Sequence, residues 1–398
     1  MIRQKFFLIP RYNWDYGFKD FLQSTAASLG LTSRSDNKLI KVFGLGTILT
    51  NSGRASLFTI LKALNLPKGS GVGVPLFCCP VVFDVILRAG LTPVFLDIDL
   101  DNYNLSVSDL KKKIDRMAAL IVVHMFGHPA DMDAIKSRSA GIPVIEDCAQ
   151  ALFTQYKGNY TGFLTEASFF SFRSGKYVSA GEGSVITCRN EALRKKMVEQ
   201  VKNFERLHWT GELAHCAMTF AKSALYKRPW YGIAGYPIGR RLDSMLNLTA
   251  KSGFRLRRMA KSDLRIISNR IENFAVKIRK QQENAHYLLE NIRLPNISLP
   301  FEKTGCLSNF YQFVIRLENQ TERDRLASYL MTHGIDSAKY LDDVVDIAKS
   351  YYGYQADCPD AEKSSKTVLS VPHYYSLKKS DMLHIVTCLN NFAKTELS

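Results

Sequence analysis

With 398 residues, 46% of them hydrophobic and 23% charged, the chain has the apolar material for a large core, which excludes a disordered or fibrous protein. Its 53 Lys and Arg against 37 Asp and Glu leave a formal net charge of +16. That balance favours anionic partners (nucleotides, phosphorylated sugars, nucleic acid or an anionic membrane surface) without choosing among them.

The opening stretch MIRQKFFLIPRYNWDYGF has basic residues and an apolar run, but Pro10 and Arg11 stop the run short of a secretory hydrophobic region. A cytoplasmic protein is expected. Eight cysteines occur singly apart from Cys78 and Cys79, none in a C-x-x-C spacing, so reduced structural thiols and no metal site are expected. From about Asn51, apolar runs alternate with helical stretches. In NSGRASLFTILKAL, Ser52 is placed to cap a helix whose apolar face is Leu57, Ile60, Leu61 and Leu64. Strands are expected at Val72 to Pro75, from Pro93, from Leu120 and from Ile142, with helices after Pro80, Ser106 and Asp131. Ala167 to Phe172 reads as a buried strand stopped by Gly175, so Lys176 leaves at a strand end. Such alternation predicts an α/β domain, a mostly parallel sheet sandwiched by helices, with ligands at the carboxyl ends of its strands.

Residues 210–250 read as an aromatic and basic insertion completing a large domain over 1–250. A smaller α+β domain over 251–398 follows. It has a long basic amphipathic stretch from Arg255 to Asn291, a strand over Asn309 to Leu317, a helix from Thr321, a strand over Lys366 to Pro372 and a last helix after Ser380. Within the insertion, residues 214–246 are too interrupted to span a bilayer. Their mixture of aromatics and cations suits either a peripheral membrane contact or packing at a dimer contact or over the active site.

Three places in the large domain suit one kind of ligand. The helix start at Gly53 and Arg54 is either a plain cap or an anion site, where free N–H groups and the positive dipole end attract phosphate. Asp147, at a strand's carboxyl end, is either a cap or the partner of a buried cationic ring. Such a carboxylate raises its partner's pKa by roughly 1–3 pH units. Gln150, three residues on, can donate to a ring oxygen. Ser171 can give a hydroxyl to the same phosphate, and Lys176 can form a Schiff base with an aldehyde if its amine loses its proton, which nearby cations and partial burial favour. His124 and His128 in HMFGHP read as structural histidines, and Glu182 is left without a role.

In order along the chain, NSGRASL, PVFLDIDLDNYNL, HMFGHPADMDAI, VIEDCAQA and GFLTEASFFSFRSGKYVSAGEGS resemble the DegT/StrS-type sugar aminotransferases. The likeness runs from about Phe43 to Asn190 and returns more loosely from Met259. It implies the aspartate aminotransferase fold (fold type I) and pyridoxal 5'-phosphate as cofactor. It further implies that Lys176 holds the cofactor's aldehyde, Asp147 pairs with its ring nitrogen, Gln150 faces its oxygen, and Ser171, Gly53 and Arg54 hold its phosphate. A homodimer with active sites at the subunit boundary is implied too, as are glutamate as amino donor and a nucleotide-linked keto sugar as acceptor, in amino-sugar or cell-surface polysaccharide biosynthesis.

The chain departs from that pattern in three places. Arg54 stands where the family usually has threonine. Cys79 stands where many relatives stack an aromatic ring on the cofactor, with Phe77 as a candidate substitute. Arg255 and Arg257 stand near the asparagine that reaches a neighbouring subunit's phosphate. Rival readings are a sugar dehydratase, whose histidine at the lysine position is absent here, and a non-catalytic nucleic-acid-binding regulator. Against the regulator, the charge is dispersed along the chain without a helix-turn-helix or zinc module.

Overall fold

The computed structural model describes residues 6–32, 37–139, 141–245 and 253–392. Five strands open the main sheet: β1 (Ile48–Thr50), β2 (Gly71–Pro75), β3 (Thr92–Leu96), β4 (Ala119–Val123) and β5 (Val144–Asp147). A short ribbon, β6 (Gln155–Tyr156) and β7 (Asn159–Tyr160), precedes the last two main strands, β8 (Ala167–Ser171) and β9 (Ser184–Cys188). The seven-stranded sheet runs β1-β9-β8-β5-β4-β2-β3. All neighbours from β8 to β3 pair in parallel, and β9 runs antiparallel to both β8 and β1.

Parallel pairing follows from composition and connection. The five residues of β4, Ala-Leu-Ile-Val-Val, are all buried, as a strand covered on both faces requires. Helices Val81–Arg88, Val107–Lys113 and Met132–Arg138 make the crossovers that parallel neighbours need. Two of them start where a side chain caps them: Ser106 Oγ accepts the Asp109 N–H and Asp131 Oδ1 accepts the Ala134 N–H. The register Val123 to Asp147 to Phe169 brings the carboxyl ends of β4, β5 and β8 to one edge. Because β9 returns antiparallel, the connection from Phe172 to Gly183, with Lys176 in it, lies at that edge.

The strands of the C-terminal part begin with β10 (Cys306–Leu307), which pairs with β6. It then builds a three-stranded antiparallel sheet in the order β11-β13-β12 from β11 (Phe313–Arg316), β12 (Ala338–Lys339) and β13 (Val368–Val371). Its core joins Leu288, Phe313, Ile315, Leu326, Leu369 and Ile385 with Ile9 from the chain's beginning. Helix Lys261–Arg270 sends Leu264, Ile266 and Ile267 instead into the cluster of Phe170, Phe172 and Val185 on the main sheet. Polar ties also join the parts. Asp97 accepts the Ala361 N–H at 2.8 Å, at the start of helix Pro359–Thr367, and Lys113 Nζ bridges Asp109 and Asp357 at 2.9 Å each.

The amphipathic stretch 255–291 is divided: Asn51 donates its backbone N–H to the Arg257 carbonyl and accepts the Arg257 N–H on its side-chain Oδ1, and a 3₁₀ turn, Ile271–Asn273, separates helix Lys261–Arg270 from helix Phe274–Asn291. The structure departs from the expected elements in two places. The expected strand Asn309 to Leu317 shrinks to Phe313–Arg316, since Asn309 turns its amide onto the carbonyls of Gln150 and Leu152. Lys366 and Thr367 end a helix rather than begin a strand.

One side chain anchors the ligand edge. Glu146 on β5 is fully buried and accepts from the backbone N–H of Gly162, Leu164 and Thr165, from Thr165 Oγ1, and from His124 Nε2 at 3.1 Å. Burial alone would raise its carboxyl, but His124 and these donors hold it below its ordinary value. Glu146→Ala orphans five donors, so urea unfolding is expected to show a loss of about 3–5 kcal/mol. A loss below about 1 kcal/mol would contradict this account of the anchor.

Candidate active site

Lys176 is partly buried on the loop between β8 and β9, with Nζ 4.7 Å from the centre of the Tyr311 ring. Burial, and then the positive charge of Arg173, lower its pKa to about 8, while Asp147 and Cys79 pull the other way. An amine that sheds its proton near neutrality is what nucleophilic or base chemistry needs. The loop is held closely. Tyr311 Oη donates to the Gly175 carbonyl at 3.0 Å, and the Gly175 N–H donates to Ser179 Oγ. Gly175 has φ +87°, and a Cβ there would sit 3.2 Å from the Trp14 indole nitrogen, so glycine is required on two counts.

Asp147 ends β5, buried, with Oδ1 accepting the Ala149 N–H at 2.9 Å. Burial raises its carboxyl, and the Ala149 hydrogen bond and then the charge of Lys176 oppose this. Lys176 and Asp147 therefore face one electrostatic environment. A cation closer to Asp147 would stabilise its ionised form.

Gly53 and Ser171 come together: a Cβ on Gly53 would lie 3.7 Å from Ser171 Cβ and 3.3 Å from the Phe169 ring. Ser52 caps the helix Gly53–Leu64 by accepting the Ala55 N–H. Hydroxyls of Thr50, Ser56 and Ser184 link this helix start to the Phe170 carbonyl in steps of 2.6 to 2.8 Å. The Arg54 guanidinium lies 5.8 Å from the centre of the Phe254 ring. Gln150 is buried with both ends of its amide engaged: Oε1 accepts the Phe126 N–H and Nε2 donates to Tyr340 Oη, each at 2.9 Å. To face a ligand oxygen, Gln150 must exchange one of these partners.

Cys79 is exposed, whereas Phe77 is fully buried and packs edge-on to Phe126 and Tyr340. Arg255 is exposed, and the Arg257 side chain pairs with Glu205 at 3.7 Å. His124 is structural: its Nδ1 accepts the Ala130 N–H, so Nε2 carries the proton given to Glu146. His124, Glu146 and Cys148 form a group with metal-ligand chemistry, but these hydrogen bonds occupy both ring nitrogens of His124 and both oxygens of Glu146. His128 is buried edge-on to Phe310 with both ring nitrogens unpartnered, and burial lowers its pKa to about 4, so it is neutral.

Sequence reasoning missed a strap formed by residues 11–16. Arg11, Tyr12 and Asn13 line a small cavity with Lys176, Tyr311 and Gln312. Arg11 pairs with buried Asp336 at 2.6 Å, Trp14 stacks on Tyr226 at 4.5 Å, and Asp15 pairs with Lys277 at 2.5 Å. These partners lie hundreds of residues away, and the only local signal is the aromatic density of PRYNWDY. Glu182 also acquires a setting, its backbone donating to Asp263, which pairs with His215 at 2.8 Å. A Cβ on Gly181 would lie 2.6 Å from His215 Nε2.

The comparisons with known proteins agree on one family. A profile of the DegT/DnrJ/EryC1/StrS aminotransferase family matches residues 44–390. The chain is 26% identical over 345 residues to GDP-perosamine synthase of Escherichia coli O157:H7, covering 86% of this chain and 84% of that protein. It is 28% identical over 344 residues to UDP-N-acetyl-3-dehydro-alpha-D-glucosamine 3-aminotransferase of Acidithiobacillus ferrooxidans, covering 85% and 82%. Its fold is similar to that of the sugar aminotransferase CalS13 from Micromonospora echinospora, with a TM-score of 0.74, 18% identity and coverage of 96% and 100%.

Two measurements probe the loop. Removing the cation in Arg173→Ala is expected to raise the midpoint of Lys176 reductive methylation with pH, read by peptide mass spectrometry of the cofactor-free protein. An unchanged midpoint would remove Arg173 from the account. Burial lowers His215, but Asp263 and Glu182 outweigh it and raise the imidazolium from its ordinary 6.5 to about 9. Its contribution, on the order of 2–3 kcal/mol, is present in full below pH 6.5 and fades as pH rises through 9. The stability gap between wild type and His215→Gln, followed by thermal melts, should close over that window; a gap independent of pH would contradict the charged pair.

Proposed function

Because the chain belongs to the DegT/DnrJ/EryC1/StrS aminotransferase family, we propose that it transfers an amino group from glutamate to a nucleotide-linked keto sugar, with pyridoxal 5'-phosphate as cofactor. The observation that carries the reading is the lowered amine of Lys176 and the buried carboxylate of Asp147 in one electrostatic environment at the carboxyl edge of the sheet. The donor set fits the cofactor. Asp147 offers charge to a ring nitrogen, and Gly53 beside Ser171 at a helix start offers N–H and hydroxyl groups to a phosphate. When bound, pyridoxal phosphate supplies a conjugated ring that withdraws electrons from the carbon being deprotonated.

The chain's own residues do the rest. Lys176 Nζ serves as the general base that removes and returns a proton at the reacting carbon, a role suited to an amine that titrates near 8. Tyr311 below the amine and the Gly175 contacts keep its reach short. Asp147, fixed by Ala149, holds its charge in place and does not have to reorganise as charge develops. Ser171, Gly53 and Arg54 are assigned to the phosphate, and Gln150 to the ring oxygen after giving up Tyr340.

The GDP and UDP sugars in the relatives' names support a nucleotide-linked acceptor, and amino-sugar or surface-polysaccharide synthesis as the setting. Division into a large domain over 1–250 and a smaller one over 251–398, a cytoplasmic homodimer with shared active sites, and a peripheral membrane contact through residues 214–246 complete the proposal.

Purified protein supplied with the cofactor is expected to be yellow and to bleach with glutamate. Borohydride should fix the cofactor's mass on the Lys176 peptide. Lys176→Ala should abolish the exchange, and Asp147→Asn should slow it by on the order of 100-fold or more. Full exchange by Lys176→Ala, or the cofactor's mass on another lysine, would refute the assignment.

A further inference from the structure

From Ala214 to Arg241 the chain carries five Lys and Arg and no Asp or Glu. Helix Trp209–Leu225 lies antiparallel to helix Phe18–Ser28: Phe220 stacks on Phe21 at 5.2 Å, and Ser223 Oγ donates to the Tyr16 carbonyl at 2.7 Å. Cys216, Thr219 and Ser223 face inward and are buried. The outward stripe inverts the usual pattern of a surface helix. Ala214, Ala217, Met218 and Ala221, spaced three and four apart, are exposed, with Lys222 as the polar member. Phe18 and Leu22 are exposed on the neighbouring helix, and Trp230, Ile233 and Ile238 are exposed in the segment that follows helix Trp209–Leu225. Trp230 and Phe18 are 58% and 61% exposed, a surface that ordinarily marks an interaction.

Charge selects the occupant. A second copy of the chain docked on the same patch would set its cations against their own images. Two nearby acids are already engaged, Asp20 by Arg270 and Asp381 by Arg228. A face of Trp and aliphatics that carries Lys222, Lys227 and Arg240 suits anionic headgroups with acyl chains just beneath. Among the described residues no helix is long and apolar enough to cross a bilayer, so the contact lies on the surface.

We propose that the outer face of helices Phe18–Ser28 and Trp209–Leu225, with Trp230, Ile233 and Ile238, docks on an anionic bilayer. Lys222, Lys227 and Arg240 meet the headgroups and Trp230 enters the interface. This deepens the membrane contact proposed for residues 214–246, adding a helix from the chain's beginning. It does not depend on the amine chemistry, so lipid binding and the glutamate half-reaction are read separately.

The test is flotation of the full chain with phosphatidylcholine vesicles that contain or lack phosphatidylglycerol. Flotation with the anionic vesicles alone is expected. Lys222→Gln with Lys227→Gln should weaken partitioning by roughly fivefold per cation, and Trp230→Ala should remove the part that survives high salt. All variants should keep the wild-type half-reaction in lipid-free buffer. Absence of flotation, equal flotation with neutral vesicles, or flotation indifferent to these substitutions overturns the proposal. A fall in oligomeric mass in Trp230→Ala, measured by light scattering, assigns the face to a second copy and overturns it as well.

Discussion

The ligand edge of the sheet depends on burying the carboxylate of Glu146 with five hydrogen-bond donors. Alternation along a strand sends Glu146 and Asp147 to opposite faces of β5, so the two neighbours divide the work. Glu146 ties residues 162–165 and His124 to the strand. Asp147 is thereby presented at the strand end with only local turn hydrogen bonding to Ala149. A charge in low dielectric is tolerable where donors saturate it, as at Glu146. It becomes reactive where they do not.

The lysine loop answers from the other strand. Lys176 is held by geometry more than by attraction: Gly175 is pinned by Tyr311 and Ser179, and the amine rests over an aromatic ring beside another cation. The Gly181 to Gly183 turn, lodged against His215 and Asp263, closes the same loop from behind. The inserted helix that supplies His215 therefore touches the lysine loop on one side and, through Tyr226 and Ser223, the strap on the other.

Much of this order could be read from the residues in sequence. Parallel strands declare themselves because burial on both faces demands unbroken apolar runs, and caps such as Ser52, Ser106 and Asp131 mark helix starts by a mechanism confined to four residues. β9 was less legible because Ser184, Thr187 and Cys188 interrupt its apolar run, and its place depends on pairing with β8. The amphipathic pattern of 255–291 does not reveal how the stretch divides, because periodicity is blind to the hydrogen bonds that Asn51 makes with Arg257. Within the site, residue types at strand ends pointed to Lys176 and Asp147. The engagement of Gln150 by Phe126 and Tyr340 did not show, nor did the strap, since both arise from contacts between distant segments.

That strap fixes an order of events during synthesis. Arg11 is separated from Asp336 by 325 positions, and Ile9 pairs with Ile335. During synthesis Ile9 and Arg11 therefore wait for these partners until residues 335 and 336 have emerged. Until then the cavity beside Lys176 lacks one of its walls, and the burial that lowers this amine is complete only when the two distant segments meet.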